Sequence, residues 1–158
     1  MRAQITAMTD DPRRRAIMRH GFFFLFLALV LGLAIVVLPH PSRWLVAHQT
    51  ALFSGPILVV VGLAWHELHL TSRQLTVAYM TGLIAAYSGI ASNVFTAMTD
   101  FPGPASNPGV IPPMPQAAVA YAILAIVIPS TFASFGLVLY GMRGNAHSRA
   151  GLDSDTHN

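Results

Sequence analysis

The chain has 158 residues, of which 54% are hydrophobic and only 9% are charged, whereas soluble domains carry roughly 25% charged residues. So few charges cannot cover a water-exposed surface, and much of the surface must therefore face lipid. The nine basic residues are arginines spread near the ends of apolar segments, which argues against a nucleic-acid partner, and the absence of cysteine excludes disulfides, thiolate ligands and iron–sulfur clusters.

Four long apolar stretches follow one another along the chain, and none contains Asp, Glu, Lys or Arg. They cover residues 21–38, 45–65, 75–98 and 117–140. Each is long enough to cross a hydrocarbon core of about 30 Å as a helix, and only helices or closed barrels satisfy the backbone inside lipid. The predicted fold is all-α, an integral membrane four-transmembrane-helix bundle over residues 21–142. The first stretch follows several arginines, and its length favours a retained helix over a cleaved signal peptide.

The segments outside the spans set the expected orientation. Eight of the nine arginines fall on the side that holds the basic segment 1–20 and the polar tail 143–158. Because positive loops stay in the cytoplasm, we expect a multi-pass protein of the inner (plasma) membrane with both termini cytoplasmic. The outer loop 99–115 holds six of the eleven prolines and cannot be helical, so it is either a cap over the bundle or a passive linker.

His48 is the one ionisable side chain inside a predicted span. It either makes a structural hydrogen bond to a neighbouring helix or binds a metal or haem iron. With no carboxylate or thiolate in the spans, a metal held by protein alone would lack ligands, whereas haem needs only one or two from the protein. His40 is a candidate second axial ligand if its turn folds back. The pair His66 and His69 is spaced i, i+3 in a short turn, and we do not assign a metal to it.

Small residues recur every four positions in the second and third spans, and the third-span series ends at Asn93. The two series are Ala47, Ala51, Gly55 and Ala85, Gly89, Asn93. Such spacing admits either a planar cofactor or plain helix packing, and both interpretations stay open. Since the two spans run in opposite directions, His48 and Asn93 should lie at similar depth. The buried amide of Asn93 would then orient the His48 ring or face a substrate.

Short segments distributed along the chain resemble those of small four-helix membrane isomerases. They are Arg19-His20-Gly21-Phe22, Ala47-His48 with Gly55 seven residues later, Gly62-Leu63-Ala64-Trp65, Leu68-His69-Leu70-Thr71, Tyr79-Met80-Thr81-Gly82-Leu83, the Asn93 region and residues 136–144. Over residues 13–144 the chain resembles the hydroxylaminobenzene mutase family and, more distantly, the styrene oxide isomerases. The resemblance implies haem b with His48 as its axial ligand and the iron as a Lewis acid. Ser54 stands where that family tends to have Asn, and Ala97 stands near the position of a Tyr of the epoxide isomerases.

These observations predict a membrane isomerase whose site combines a haem ligand, a small-residue cradle and substrate-facing polar groups. The ligand is His48, the cradle is Ala51, Gly55 and Gly89, and the polar groups are Asn93 and Ser54. The expected reaction is a redox-neutral rearrangement of a small aromatic molecule, of the hydroxylaminobenzene to 2-aminophenol type. Alternatives are epoxide to aldehyde isomerisation, a haem b electron carrier and a non-catalytic membrane protein. Because four helices enclose a haem poorly, we expect a lipid-embedded homo-oligomer, for which a trimer is one candidate.

Overall fold

The computed structural model describes residues 11–99 and 115–143, which form four long helices and no strand. A single turn of 3₁₀-helix, Ala64–Glu67, extends the second helix. All four helices are long and apolar enough to cross a membrane, which confirms the all-α four-helix membrane fold. In chain order they are α1 (Pro12–Val37), α2 (Pro41–Leu63), α3 (Ser72–Thr99) and α4 (Gln116–Met142).

Helix α1 begins well before the apolar stretch that predicted it. Asp11 caps the helix because its side chain accepts a hydrogen bond from the backbone N–H of Arg13 at 2.9 Å, and Pro12 occupies the first helical position. The basic segment that the sequence predicted as separate from the bundle is therefore helical from Pro12 onward. The start is fixed by capping chemistry rather than by hydropathy. The proline-rich loop and the polar tail fall on residues 100–114 and 144–158, outside the described residues.

Helices α1 and α2 form the most extensively packed pair in the described part of the chain. Two glycines bring their backbones close: a Cβ atom on Gly21 would lie 2.7 Å from the carbonyl oxygen of Gly55. Fully buried side chains continue along the same seam, including Phe24, Ala28 and Ala47. Small residues at a helix contact allow this close approach inside lipid, where van der Waals packing rather than the hydrophobic effect holds helices together.

Helices α3 and α4 form a second pair, and α3 also packs against α2. Large apolar side chains on α4 remain exposed, among them Phe132 at 76% and Leu139 at 64%. Such exposure is the expected surface of a helix that faces lipid or another protein chain. Where α4 ends, the backbone N–H of His69 donates to the carbonyl of Gly141 at 3.0 Å, so the turn before α3 is tied to α4.

The two ends of the bundle are named here after the tryptophans they contain. The Trp65 end comprises Asp11, Trp65, the start of α3 and the end of α4. The Trp44 end comprises the turn at Pro39–His40, the start of α2 and the end of α3. At that turn His40 adopts the left-handed conformation, with φ of 60°, which a non-glycine residue rarely does and which reverses the chain sharply between α1 and α2.

Candidate functional site

His48 lies about two turns into α2 on the side that faces α1. Its Nδ1 atom is 2.8 Å from the carbonyl oxygen of Ala28. Because a carbonyl only accepts, Nδ1 must carry the proton and donate it, which leaves Nε2 as the basic nitrogen of a neutral imidazole. Histidines that bind metals commonly donate their other ring N–H to a backbone carbonyl in this way. The geometry therefore fixes both the tautomer and the orientation of the ring.

Gly32 on α1 provides the space that the imidazole occupies. A Cβ atom at Gly32 would lie 3.2 Å from Nδ1 and 3.3 Å from Cε1 of His48, closer than most Cβ contacts in proteins. Neither Gly32 nor Ala28 was among the residues predicted for the site. Their spacing of four residues is a small-residue signal of the kind that was recognised in the second and third spans but not in the first.

Asn93 lies near the depth of His48 but makes a different contact from the one expected. Its side-chain amide donates to Thr50 Oγ1 at 2.8 Å, and the Thr50 hydroxyl donates to the Val46 carbonyl at 2.9 Å. Thr50 is about 200° around the helix from His48 at 100° per residue, so Asn93 sits on the opposite side of α2. The ring of His48 is oriented by Ala28, while Asn93 joins α3 to α2.

The predicted cradle residues divide between two helix contacts. Ala51 is fully buried, and a Cβ atom on Gly55 would lie 2.8 Å from Leu25 Cγ and 3.0 Å from the Gly21 carbonyl oxygen. Helix α1 thus packs closely against Gly55, and the role of this glycine in a cofactor cradle stays a prediction. Gly89 has more room, since a Cβ atom there would meet only Thr50 Cγ2 at 3.9 Å.

Ser54 opens into a half-open cavity of about 160 Å³ on the Trp65 side of His48. All four helices contribute to its apolar wall, and three hydroxyl groups interrupt it, those of Ser54, Thr131 and Ser134. The Thr131 hydroxyl donates to the Val127 carbonyl at 2.7 Å, which leaves its oxygen able to accept from a ligand. Ser54 and His48 therefore open into different spaces in the described part of the chain.

Trp44 lies one turn from His48 along α2. Its side chain is 7% exposed, and its indole Nε1–H is buried without a hydrogen-bond partner among the described residues. A buried donor without an acceptor is uncommon in native proteins and calls for an explanation. Trp44 belongs to the same buried cluster as Ala28, Leu31 and Ala47, which surrounds the His48 position on the α1–α2 seam.

These residues fit a haem better than a metal held by protein alone. In residues 11–99 and 115–143 no three His, Asp or Glu side chains come together as a metal site. A porphyrin supplies four nitrogens, and His48 with a free Nε2 can supply the fifth ligand. His40, the candidate second ligand, begins α2 about 12 Å of helix rise away from His48. The haem itself remains a proposal, developed below.

A family model for styrene oxide isomerase matches residues 13–143 of the chain. No curated protein and no solved structure matches it. The sequence had placed the hydroxylaminobenzene mutases first and the styrene oxide isomerases second, and the match is to the second of the two. It confirms an isomerase of the styrene oxide isomerase kind, and the mutase reaction stays a proposal. The match covers most of the chain, whose described residues form four helices long and apolar enough to cross a membrane, and the chain belongs to the styrene oxide isomerase family.

Proposed function

We propose that the protein is a membrane isomerase that rearranges a small aromatic substrate without net oxidation or reduction, with haem b bound through His48. The observation that carries the proposal is the hydrogen bond of 2.8 Å between His48 Nδ1 and the Ala28 carbonyl, which leaves Nε2 available for iron. Family membership supports isomerase chemistry. When bound through His48, haem would supply a Lewis-acidic iron that polarises the oxygen of the substrate.

The first candidate substrate is an aryl hydroxylamine. Hydroxylaminobenzene and 2-aminophenol are isomers: the N–O bond breaks, a C–O bond forms at the ortho carbon, and the proton lost from that carbon returns to the product. Ala97 supports this candidate, because the chain lacks there the Tyr side chain that the resemblance associates with the epoxide isomerases.

The second candidate is an aryl epoxide, which the family match favours. Here one C–O bond opens, a hydride moves to the neighbouring carbon and an aldehyde forms, again with no change in composition. A phenyl-substituted epoxide and an aryl hydroxylamine have similar sizes and would require similar apolar surroundings. Turnover of the two compounds by the same preparation decides between them.

The protein's own residues would bind and orient rather than exchange electrons. Ala28 holds the His48 ring in one tautomer, and Gly32 provides clearance for it. Asn93, whose side-chain amide donates to Thr50, would help to hold α3 against α2 beside the site.

Assembly and orientation belong to the same proposal. We infer a lipid-embedded homo-oligomer with the haem near a contact between protomers, because α4 buries almost none of its most apolar surface within one chain. A trimer is one candidate. The distribution of arginines supports an inner-membrane location with cytoplasmic termini. Cross-linking in mild detergent tests the first point, and reporter fusions at the C-terminus test the second.

The decisive experiment is an absorption spectrum of purified protein combined with anaerobic turnover assays. We expect a Soret band and conversion of an aryl hydroxylamine or aryl epoxide without NAD(P)H, oxygen or an electron partner. His48→Ala should abolish the Soret band and the activity together while the chain still inserts, because hydropathy drives insertion. His69→Ala is the matched control, since that ring is exposed at the Trp65 end.

Three outcomes would contradict the proposal. Full haem content and full rate in His48→Ala would assign His48 to helix packing alone. A strict need for an external reductant would instead identify an electron carrier or an oxygenase, and a protein without any haem spectrum or turnover would be a non-catalytic membrane component. Dithionite should slow the isomerisation, since ferrous iron is the weaker Lewis acid.

A further inference from the structure

The half-open cavity of about 160 Å³ inside the bundle is not used by the haem proposal. Its α2 wall includes Ser54, Ile57 and Val61, which share one face of the helix because they are three and four residues apart. Its α3 wall consists of residues without bulky side chains, Gly82, Ala85 and Ala86. The space exists because α3 has small residues where the neighbouring helices have larger ones.

This cavity is separate from the position proposed for the haem ligand. Ser54 follows His48 by six residues, which at 1.5 Å and 100° per residue places it about 9 Å along the axis of α2 and about 120° around it. The His48 ring faces α1, where it contacts the Ala28 carbonyl, whereas Ser54 faces the cavity. A molecule in the cavity would therefore occupy a second site, and the inference does not rest on haem binding.

The mouth of the cavity lies between α2 and α4, which are not closely packed against each other. Helix α4 packs against α3, and α3 packs against α2, so the gap lies between the two outer members of this group. Two apolar lining residues on these helices remain accessible, Ile57 at 43% and Phe135 at 48% exposed. Because both lie on membrane-crossing helices, an apolar molecule dissolved in the bilayer can enter between them.

Three hydroxyl groups interrupt the apolar wall, and they differ in their hydrogen bonds. Thr131 donates to a carbonyl of its own helix at 2.7 Å, and Ser134 donates to the Ala78 carbonyl of α3 at 3.4 Å. The Ser54 hydroxyl makes no hydrogen bond with the described residues, although hydroxyls in helices often donate to the carbonyl four residues earlier, as Thr50 does. Ser54 therefore keeps a donor and acceptor lone pairs for a ligand, while the other two hydroxyls offer acceptors.

The size and polarity of the cavity favour one aromatic ring that carries a hydroxyl group. A volume of about 160 Å³ is enough for a single ring, since apolar cavities of about 150 Å³ hold benzene. A hydroxyl substituent both donates and accepts, so it can pair with Ser54 and with the acceptor oxygens of the wall. A lipid acyl chain in the same space would leave the Ser54 hydroxyl unpaired in apolar surroundings, which costs free energy.

We propose that this cavity is a second binding site, which takes a single-ring phenol from the bilayer. The ring lies against the small residues of α3, and its hydroxyl group hydrogen-bonds to Ser54. The site is an accessory one, because it contacts neither His48 nor the reacting atoms of the proposed isomerisation. The product of the first candidate reaction, 2-aminophenol, belongs to the same class of ligand.

The test measures binding of 4-fluorophenol and of fluorobenzene to the full chain in lipid nanodiscs by ¹⁹F NMR, with empty nanodiscs as the partition control. We expect both probes to bind saturably. Ser54→Ala should weaken 4-fluorophenol binding about fivefold and leave fluorobenzene unchanged, because one hydrogen bond is lost and the ring contacts remain. Ala85→Leu, which places a larger side chain in the cavity, should abolish binding of both probes. Ser130→Ala and Ala91→Leu, outside the cavity wall, are the matched controls and should change neither.

The outcomes separate this site from the proposed function. Binding of 4-fluorophenol should persist in His48→Ala, and its disappearance there would place the phenol at His48 and overturn the inference. Absence of saturable binding, the result expected if acyl chains or a second copy of the chain fill the cavity, also overturns it. So does a Ser54→Ala variant that loses both probes equally or neither, and because this variant adds no atoms it decides the question even where Ala85→Leu misfolds. The haem spectrum and the turnover of the wild-type protein are measured apart from these titrations.

Discussion

The Trp65 end and the Trp44 end of the bundle differ in whether the indole N–H of their buried tryptophan is hydrogen-bonded. Trp65 and Trp44 are both buried, yet Trp65 donates to Asp11 at 3.0 Å and Trp44 has no acceptor among the described residues. The Trp65 end is completed by the chain itself, through the Asp11 cap and the bond from Arg14 to the Gly62 carbonyl at 3.3 Å. At the Trp44 end the indole donor has no acceptor among the described residues, and the His48 ring is held by one hydrogen bond to the Ala28 carbonyl.

The difference shows how stability and function are divided along one pair of helices. Polar groups that hydrogen-bond to each other within the chain hold α1 against α2, so they are not available to bind a ligand. Polar groups that remain open inside an apolar seam cost free energy until they are occupied, which is the usual condition of a binding site. Variants at each end should therefore separate folding from haem binding.

The largest effect on stability is expected from Asp11→Ala. This change removes the N-cap of α1 and leaves the buried Trp65 donor unpaired, and the two losses together should lower the free energy of unfolding by about 2–4 kcal/mol. The measurement is thermal or chemical unfolding in detergent. The double variant with Trp65→Phe should regain part of the loss, because the unpaired donor is then gone. Stability equal to wild type would show that the Trp65 end is not held by this contact.

Gly21→Ala tests the seam between the two ends. The new Cβ atom would meet the Gly55 carbonyl oxygen at 2.7 Å, and because this is backbone, the helices must separate. We expect a loss of about 1–3 kcal/mol, the usual cost of overpacking. Gly136→Ala is the control, since nothing lies within 4 Å of its Cβ position. If both variants unfold at the same temperature, the close approach of α1 and α2 is not needed.

Gly32→Ala should separate haem binding from folding, because it disturbs the His48 site and changes the stability of the bundle little. Its Cβ atom would press on the imidazole at 3.2–3.3 Å and disturb the bond to Ala28. We expect about tenfold weaker haem binding and a stability change below about 1 kcal/mol. Gly136→Ala, whose Cβ position has nothing within 4 Å, should change neither quantity. Haem titration and unfolding, measured on the same samples, give the change in haem affinity and the change in stability for each variant.

The smallest effect is expected from Tyr87→Phe, which lies outside both ends. The Tyr87 hydroxyl and His20 Nδ1 are 2.8 Å apart and join α3 to α1, and the Tyr87 ring also contacts Phe24 with centroids 4.7 Å apart. Since interhelical hydrogen bonds in membranes contribute about 0.6 kcal/mol on average, Tyr87→Phe should lower stability by about that amount. Tyr121→Phe, on exposed α4 surface, is the control. A loss of several kcal/mol would mark the pair as part of the core.

The fold was largely predictable because the hydropathy of a segment depends only on the residues in that segment. The four apolar stretches each became one helix, and the boundaries failed where local chemistry outweighs hydropathy, as at Asp11, which starts α1 within the predicted basic segment. The site was predictable only in part. His48 stands out as the single histidine of the predicted spans, but the residues around it were assigned from spacing along one helix. In the structure α1 packs closely against Gly55, and Asn93 donates to Thr50.

The sequence by itself determined the class of fold, the positions of the spans and the one histidine that can act inside them, because each depends on the apolarity or titration of residues taken singly. Only the tertiary structure decided that Ala28 fixes the His48 tautomer, that Gly32 gives the ring its space and that the Trp44 N–H lacks the acceptor that Trp65 has. Those facts depend on which groups from distant parts of the chain come within hydrogen-bond or van der Waals distance. Spacing along a helix gives the face on which a residue lies, but not what stands opposite it.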